Sequence, residues 1–197
     1  MCIRDRQGLY AYGNQPNLAA WNMAQLATAL LPLTADSEAS IARFTEIVQG
    51  FGDIFDREYA AVFARKIGFT PSEETGVLVY GLLRMIANIG ADYTLCFRAL
   101  ATGKSQAYLG AHPDFADWHA RWQAAGPAQG ALAQVNPAII PRNHLMEAMI
   151  SEAVAGDMQL FHALHEALKA PFSHCDTPRF IAAPDSQEVV TQTFCGT

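Results

Sequence analysis

Residues 8–33 read GLYAYGNQPNLAAWNMAQLATALLPL, and this run decides the fold class. It opens on aromatic and turn residues, Tyr10, Tyr12, Gly13, Asn14, Gln15 and Pro16. It then passes into a stripe of Leu18, Trp21, Met23, Leu26, Ala29 and Leu30. That three-and-four spacing puts the apolar residues on one side of a helix. Pro16 has no N–H to leave unpaired, and Asn17 offers an oxygen to an orphan donor, so both suit a helix start. Pro32 stops the helix. The run reads as an amide-rich loop feeding a helix with a buried tryptophan, a positioning device without a nucleophile, base or metal set.

Downstream the chain continues as helix after helix. The stretch 37–67 carries Ile41, Phe44, Ile47, Val48, Phe51, Phe55, Tyr59, Val62, Phe63 and Ile67 at helical spacing, with Gly50 and Gly52 placed to bend or break it and Gly68 to end it. Thr70-Pro71-Ser72-Glu73-Glu74 is a start signal for a helix holding Val77, Leu78, Leu82, Leu83, Met85 and Ile86. Asp92 is a cap for a helix whose Tyr93, Phe97 and Leu100 pack inward. Asp114 opens another, with Phe115, Trp118 and Trp122 on one side. Residues 126–130 form a loop, Asn136-Pro137 a turn, and a helix from about Pro141 runs to a break at Gly156-Asp157. A last helix passes through Leu160, Phe161, Leu164 and Leu168. From Pro171 the composition turns to Pro, Thr, Ser and Asp, which predicts an irregular tail. Residues 188–194 are the best candidate for a strand. The class is mainly α.

The composition narrows the function classes. Hydrophobic residues make up 51% of the 197 and charged residues 16%, enough for a core and against disorder. A net charge of -6, with acids spread along the chain, argues against nucleic acid or anionic membrane as the main partner. No apolar run reaches the roughly 18–20 residues of a bilayer span. The four cysteines, Cys2, Cys96, Cys175 and Cys195, lack paired spacing and fit a reducing, cytoplasmic setting better than a disulfide scaffold. The first six residues, MCIRDR, match nothing that follows and read as an artefactual, non-native segment.

Five groups offer chemistry. Thr102-Gly103-Lys104-Ser105 has the end of a phosphate-binding loop, but Arg98 stands where that loop needs glycine and a helix precedes it, so it reads as a helix C-terminus. His162, His165, His174 and Cys175 could make four zinc ligands only if a short loop folded back. Partly exposed helix histidines are the preferred reading. Asp53, Asp56 and Glu58 lie opposite an apolar face and read as solvated. Arg142 opens a helix, where its charge opposes the dipole, so it should reach a carboxylate or carbonyl elsewhere in a structural role. Cys195, third from the C-terminus, is an accessible thiol without a sequence reason for a lowered pKa.

Three motifs carry a family resemblance. QGLYAYGNQPNLAAWNMAQLATALLPL resembles the selenoprotein O segment GRYAYxNQPxIxxWNLxRLAExLLPL. ADYTLCFRAL is similar to that family's ADYTxFFRxL, and VNPAIIPRNHLMEAMISEAVAGD to VNPKYxLRNxLAQxAIExAExGD. LHEALKAPF and the late Cys195 follow in the same order. The resemblance covers nearly everything after residue 6.

It implies a protein-kinase-like fold that uses ATP and Mg²⁺ to transfer AMP to Ser, Thr or Tyr hydroxyls of protein substrates. Such transfer needs a phosphate-gripping Lys and Arg set and an Asp and Asn on the metal. In the family these precede the GRYAY segment, and no Gly-rich loop, VAIK-like lysine or DFG-like motif stands here. The expectation is therefore the helical C-lobe portion of a kinase-like fold over residues 7–170, with an irregular C-terminal tail at 171–197. No catalytic, cofactor or metal residue is expected in this chain, nor bound ATP or Mg²⁺. Leu9 replaces the family's arginine. Cys195 matches the family's late Cys or selenocysteine, which makes it the redox candidate. The partner thiol implied by the resemblance lies upstream; Cys2 falls near that place but within the suspect hexapeptide. The alternative is a non-catalytic helical interaction module, and a weaker one a zinc-binding helical protein.

Overall fold

A computed structural model describes residues 12–190, and every regular element among them is helical. The candidate strand is not formed over 188–190, and its remainder lies outside the described residues. The chain divides into two units. One takes in the described residues up to Tyr59 together with Val190, and the other runs Ala60–Val189.

In the first unit, α1 (Gln15–Leu30) leads through a 3-10 turn at Leu31–Leu33 to α2 (Ser37–Gln49), and α3 (Phe51–Lys66) follows. Pro16 sits in the first turn of α1 as expected. Asn17 is not the cap. The cap position is Asn14, and Asn17 Nδ2 donates to Asn14 Oδ1 at 3.0 Å from inside the helix. Asp36 caps α2 by accepting from Ala39 N–H at 3.0 Å. The break at Gly50 separates α2 from α3 as the glycine cost predicts. The buried tryptophan is a correction: Trp21 is 59% exposed, and no residue of α1 or α2 is buried. Two helices packed side by side can each cover only one face of the other, which leaves the second apolar face of α1 open.

The second unit carries the core. The end of α3, α4 (Glu73–Ile89), α5 (Tyr93–Thr102), α6 (Ser105–Leu109), α7 (Phe115–Ala124) and α8 (Gln129–Val135) enclose one cluster. It includes Ile67, Leu82, Phe97, Leu109, Trp118, Trp122 and Leu132. A smaller cluster joins Ala138, Ile139 and Leu145 to Leu160, Leu164 and Phe180, from α9 (Asn143–Val154), α10 (Gln159–Leu168) and α11 (Pro178–Ile181). Trp118 and Trp122 stack at 6.0 Å, and each indole N–H finds a carbonyl, Leu78 O at 2.9 Å and Ile67 O at 2.8 Å. Both rings are thus buried without an orphaned donor. The short helix α6 starts at Ser105, where the sequence reads as a helix end, and α8 starts at Gln129, inside the loop expected over 126–130; α11 is one helical turn in an otherwise irregular tail.

Ser72 caps α4 through Thr75 N–H at 3.1 Å, which leaves Pro71 outside the helix rather than in its first turn. Gly68 ends α3 at φ +88, and a Cβ there would lie 3.0 Å from both Ala128 N and Pro127 Cβ. The Gly68 carbonyl accepts from Ala128 N–H at 2.9 Å, so neither chain segment has room to retreat. Gly68→Ala should cost about 1–3 kcal/mol in a urea melt. An unchanged midpoint would mean that the loop yields freely.

Candidate functional site

The two motif stretches of the second unit meet in a polar lattice. Asp92 is the N-cap of α5 and accepts from Leu95 N–H at 2.8 Å. The same carboxylate takes both arms of Arg142, at 2.6 Å from Nη1 and 3.1 Å from Nη2. Arg142 is the N-cap of α9 and 7% exposed, so its charge, ill placed for the α9 dipole, is neutralised by a carboxylate that caps α5. One planar fork thereby ties the smaller hydrophobic cluster to the larger.

Burial raises the Asp92 carboxyl, but the Arg142 fork and the Leu95 amide together outweigh it and hold the group below its ordinary value. Two further residues extend the lattice. Arg98 Nη1 donates to the Ala133 and Asn136 carbonyls, each at 2.9 Å, and so staples α5 to the end of α8. Asn136 is fully buried and donates from Nδ2 to Lys66 O at 2.8 Å, closing the C-terminus of α3. Lys66 is half-buried with Nζ 4.8 Å from the centre of the Phe97 ring, and desolvation lowers its pKa.

Arg142 therefore does what its place in the sequence predicts, and the expected carboxylate is Asp92. Arg98 and Asn136 were legible only as a departure from a phosphate-loop pattern and as a turn. What could have marked them is their position inside the two motifs, ADYTLCFRAL and VNPAIIPRN.

The other candidates are not brought together. Thr102 ends α5, Gly103 caps it at φ +68, and Lys104 precedes α6, so the phosphate-loop likeness is a helix end. His162 and His165 are exposed on α10, while His174 lies 3.2 Å from Asp176. Among the described residues no three His, Cys, Asp or Glu side chains group as metal ligands. Asp53, Asp56 and Glu58 are exposed, as a solvated face requires. Cys195 and Cys2 lie outside the described residues.

Two other thiols are free. Cys96 is buried; desolvation, with the Asp92 charge adding to it, pushes its pKa up to about 11. A thiol so placed is protonated near neutrality and inert. With a maleimide at neutral pH, Cys175 should label in the folded chain and Cys96 should not; rapid labelling of Cys96 would show that the core opens.

Asp92 accepts two bonds from Arg142 and one from Leu95 N–H, and its charge is matched by the guanidinium rather than offered to a metal ion. The pocket bounded by Arg84, Asp114, Asp117, Trp118 and Arg121, about 520 Å³, mixes both charges on an exposed rim and offers no concentrated positive set for a triphosphate. Neither the Asp92–Arg142 pair nor this pocket fits ATP with Mg²⁺. No described helix is long and apolar enough to cross a membrane.

These features define a helical scaffold whose motif residues lock helices to one another. The chain belongs to the family of the protein adenylyltransferase SelO, whose model matches residues 2–169. Curated relatives include a protein nucleotidyltransferase YdiU of Ruegeria pomeroyi, 41% identical over 98% of this chain and 42% of its own length. Another, of the same name, from Jannaschia sp., is 43% identical over 98% of this chain and 43% of its own. A third, from Pseudarthrobacter chlorophenolicus, is 37% identical with the same 98% and 42% shares. The chain thus spans well under half the length of the relatives it matches.

Proposed function

We propose that this chain supplies the helical C-lobe portion of a kinase-like protein adenylyltransferase. In this reading ATP and Mg²⁺ are held by a preceding part of the polypeptide, and AMP passes to Ser, Thr or Tyr hydroxyls of protein substrates. The observation that carries it is the lattice of Asp92, Arg98, Asn136 and Arg142. These residues belong to the stretches that resemble the family, yet Asp92, Arg98 and Arg142 are engaged in hydrogen bonds between helices and Asn136 donates to Lys66 O, only its buried Oδ1 standing without a partner. A family motif whose polar groups face one another is a frame for a site rather than the site. The family's nucleotidyltransferase name and the chain's share of its relatives' length support the same division of labour.

Cys195 is the redox residue of this reading, in a cytoplasmic protein that uses neither nucleic acid nor membrane as partner. The acidic balance of the chain supports that choice of partners. The test uses a polypeptide of the relatives' length from the same locus, with Mg²⁺ and ATP tagged on its adenine. Label on protein hydroxyls is expected. A preparation that folds and binds proteins but transfers no label would favour the non-catalytic interaction module instead.

A further inference from the structure

No charged residue stands between Arg6 and Asp36, a span that includes all of α1. A surface helix of a globular protein ordinarily shows one apolar stripe opposite a charged face. The exposed positions of α1 instead mix large apolar residues with neutral amides and a threonine. One side of α1 is occupied. Ala24, Ala27, Thr28 and Leu31 face Ile41, Phe44 and Val48 of α2 across a cavity of about 250 Å³. Other positions of the helix carry Trp21 and Leu26, 59% and 60% exposed, then Leu30, and Leu33 follows just beyond it. Trp21 and Leu26, five residues apart, stand on different sides of the helix, so large apolar side chains are exposed over much of its uncharged surface, with Asn22 and Gln25 exposed between them.

We infer that the uncharged surface of α1 turned away from α2 is an intramolecular docking surface, covered by the part of the polypeptide that the relatives possess and this chain does not span. The inference rests on the adenylyltransferase reading above, and two observations select the occupant. The chain accounts for 42–43% of its relatives' length, so more than half of such a protein is available to cover the face. The surface has no charge to steer or select a transient partner: its exposed polar residues, Asn22, Gln25 and Thr28 among them, are all neutral and stand beside Trp21, Leu26 and Leu30.

Hydroxyl-radical footprinting reads the surface without mutation, because Trp118 and Trp122, each 2% exposed, serve as internal references. In the 197-residue chain Trp21 should oxidise several times faster than either. In a polypeptide of the relatives' length it should slow to their rate. Equal oxidation of Trp21 in both proteins would overturn the inference. So would protection that rises with concentration in the short chain alone, since a second copy would then be the occupant. Leu26→Asp gives an independent readout: it should lower the melting midpoint of the long polypeptide and leave that of the short chain in place, and equal shifts would count against docking. AMP transfer by the same long preparation separates the two ideas. Transfer with Trp21 still exposed sinks the docking surface alone, and protection without transfer keeps the surface while sinking the adenylyltransferase reading.

Discussion

Arg142→Met is expected to lower the unfolding free energy by about 3 kcal/mol or more, because it strands a partly buried carboxylate without its counter-charge. Asp92 keeps only its backbone bonds in that variant, and the two hydrophobic clusters lose the fork that joins them. A urea melt followed by the near-ultraviolet dichroism of Trp118 and Trp122 measures the loss in the unit that holds the pair. The loss also depends on pH. The folded Asp92 pKa lies below the ordinary value of 3.8, so the stability it contributes is fully present above that value. It fades as pH falls through the lower, folded pKa. The gap between wild type and Arg142→Met should therefore hold from neutrality to about pH 4 and narrow below it. A gap that stays constant to pH 2 would separate Arg142 from the charge on Asp92.

Trp122→Ala should be comparably damaging, at about 3–5 kcal/mol. It opens a cavity beside Trp118, removes a stacked partner and leaves the Ile67 carbonyl without its donor at the end of α3. Trp122→Phe keeps most of the volume and should recover much of the loss, short of the hydrogen bond. Trp21→Ala in the same chain should cost less than about 1 kcal/mol, since a side chain more than half exposed has little to lose. The same melt reads all three variants, and similar losses at positions 21 and 122 would mean that α1 is buried in solution.

The contrast between these tryptophans shows what the sequence could tell. Both stand in helical stripes of similar quality, and periodicity places both on apolar faces. Burial depends on what meets the face. For Trp118 and Trp122 the end of α3 and α4 meet the face, while Trp21 stands 59% exposed. The cap at Asp92 was legible because its chemistry is local, a bond to the amide three residues ahead; Asp36 and Ser72 cap in the same way without having been singled out. Asn17 misled because a turn residue and a first-turn residue look alike until the helix start is known. The short helices α6 and α8 were hidden by their glycine, serine and glutamine content, and they exist because Leu109 and Leu132 are drawn wholly into the core. Arg142 was legible as a charge in need of a partner. That the partner is Asp92, fifty residues away, follows from packing of α9 against the rest and from no local rule.

If the motif residues hold the frame, a double-mutant cycle on Asp92→Asn and Arg142→Met will read it. Each single variant breaks the pair, so the second change should cost little more than the first. A coupling energy above about 1 kcal/mol at neutral pH is expected. Additive losses, with coupling near zero, would contradict it.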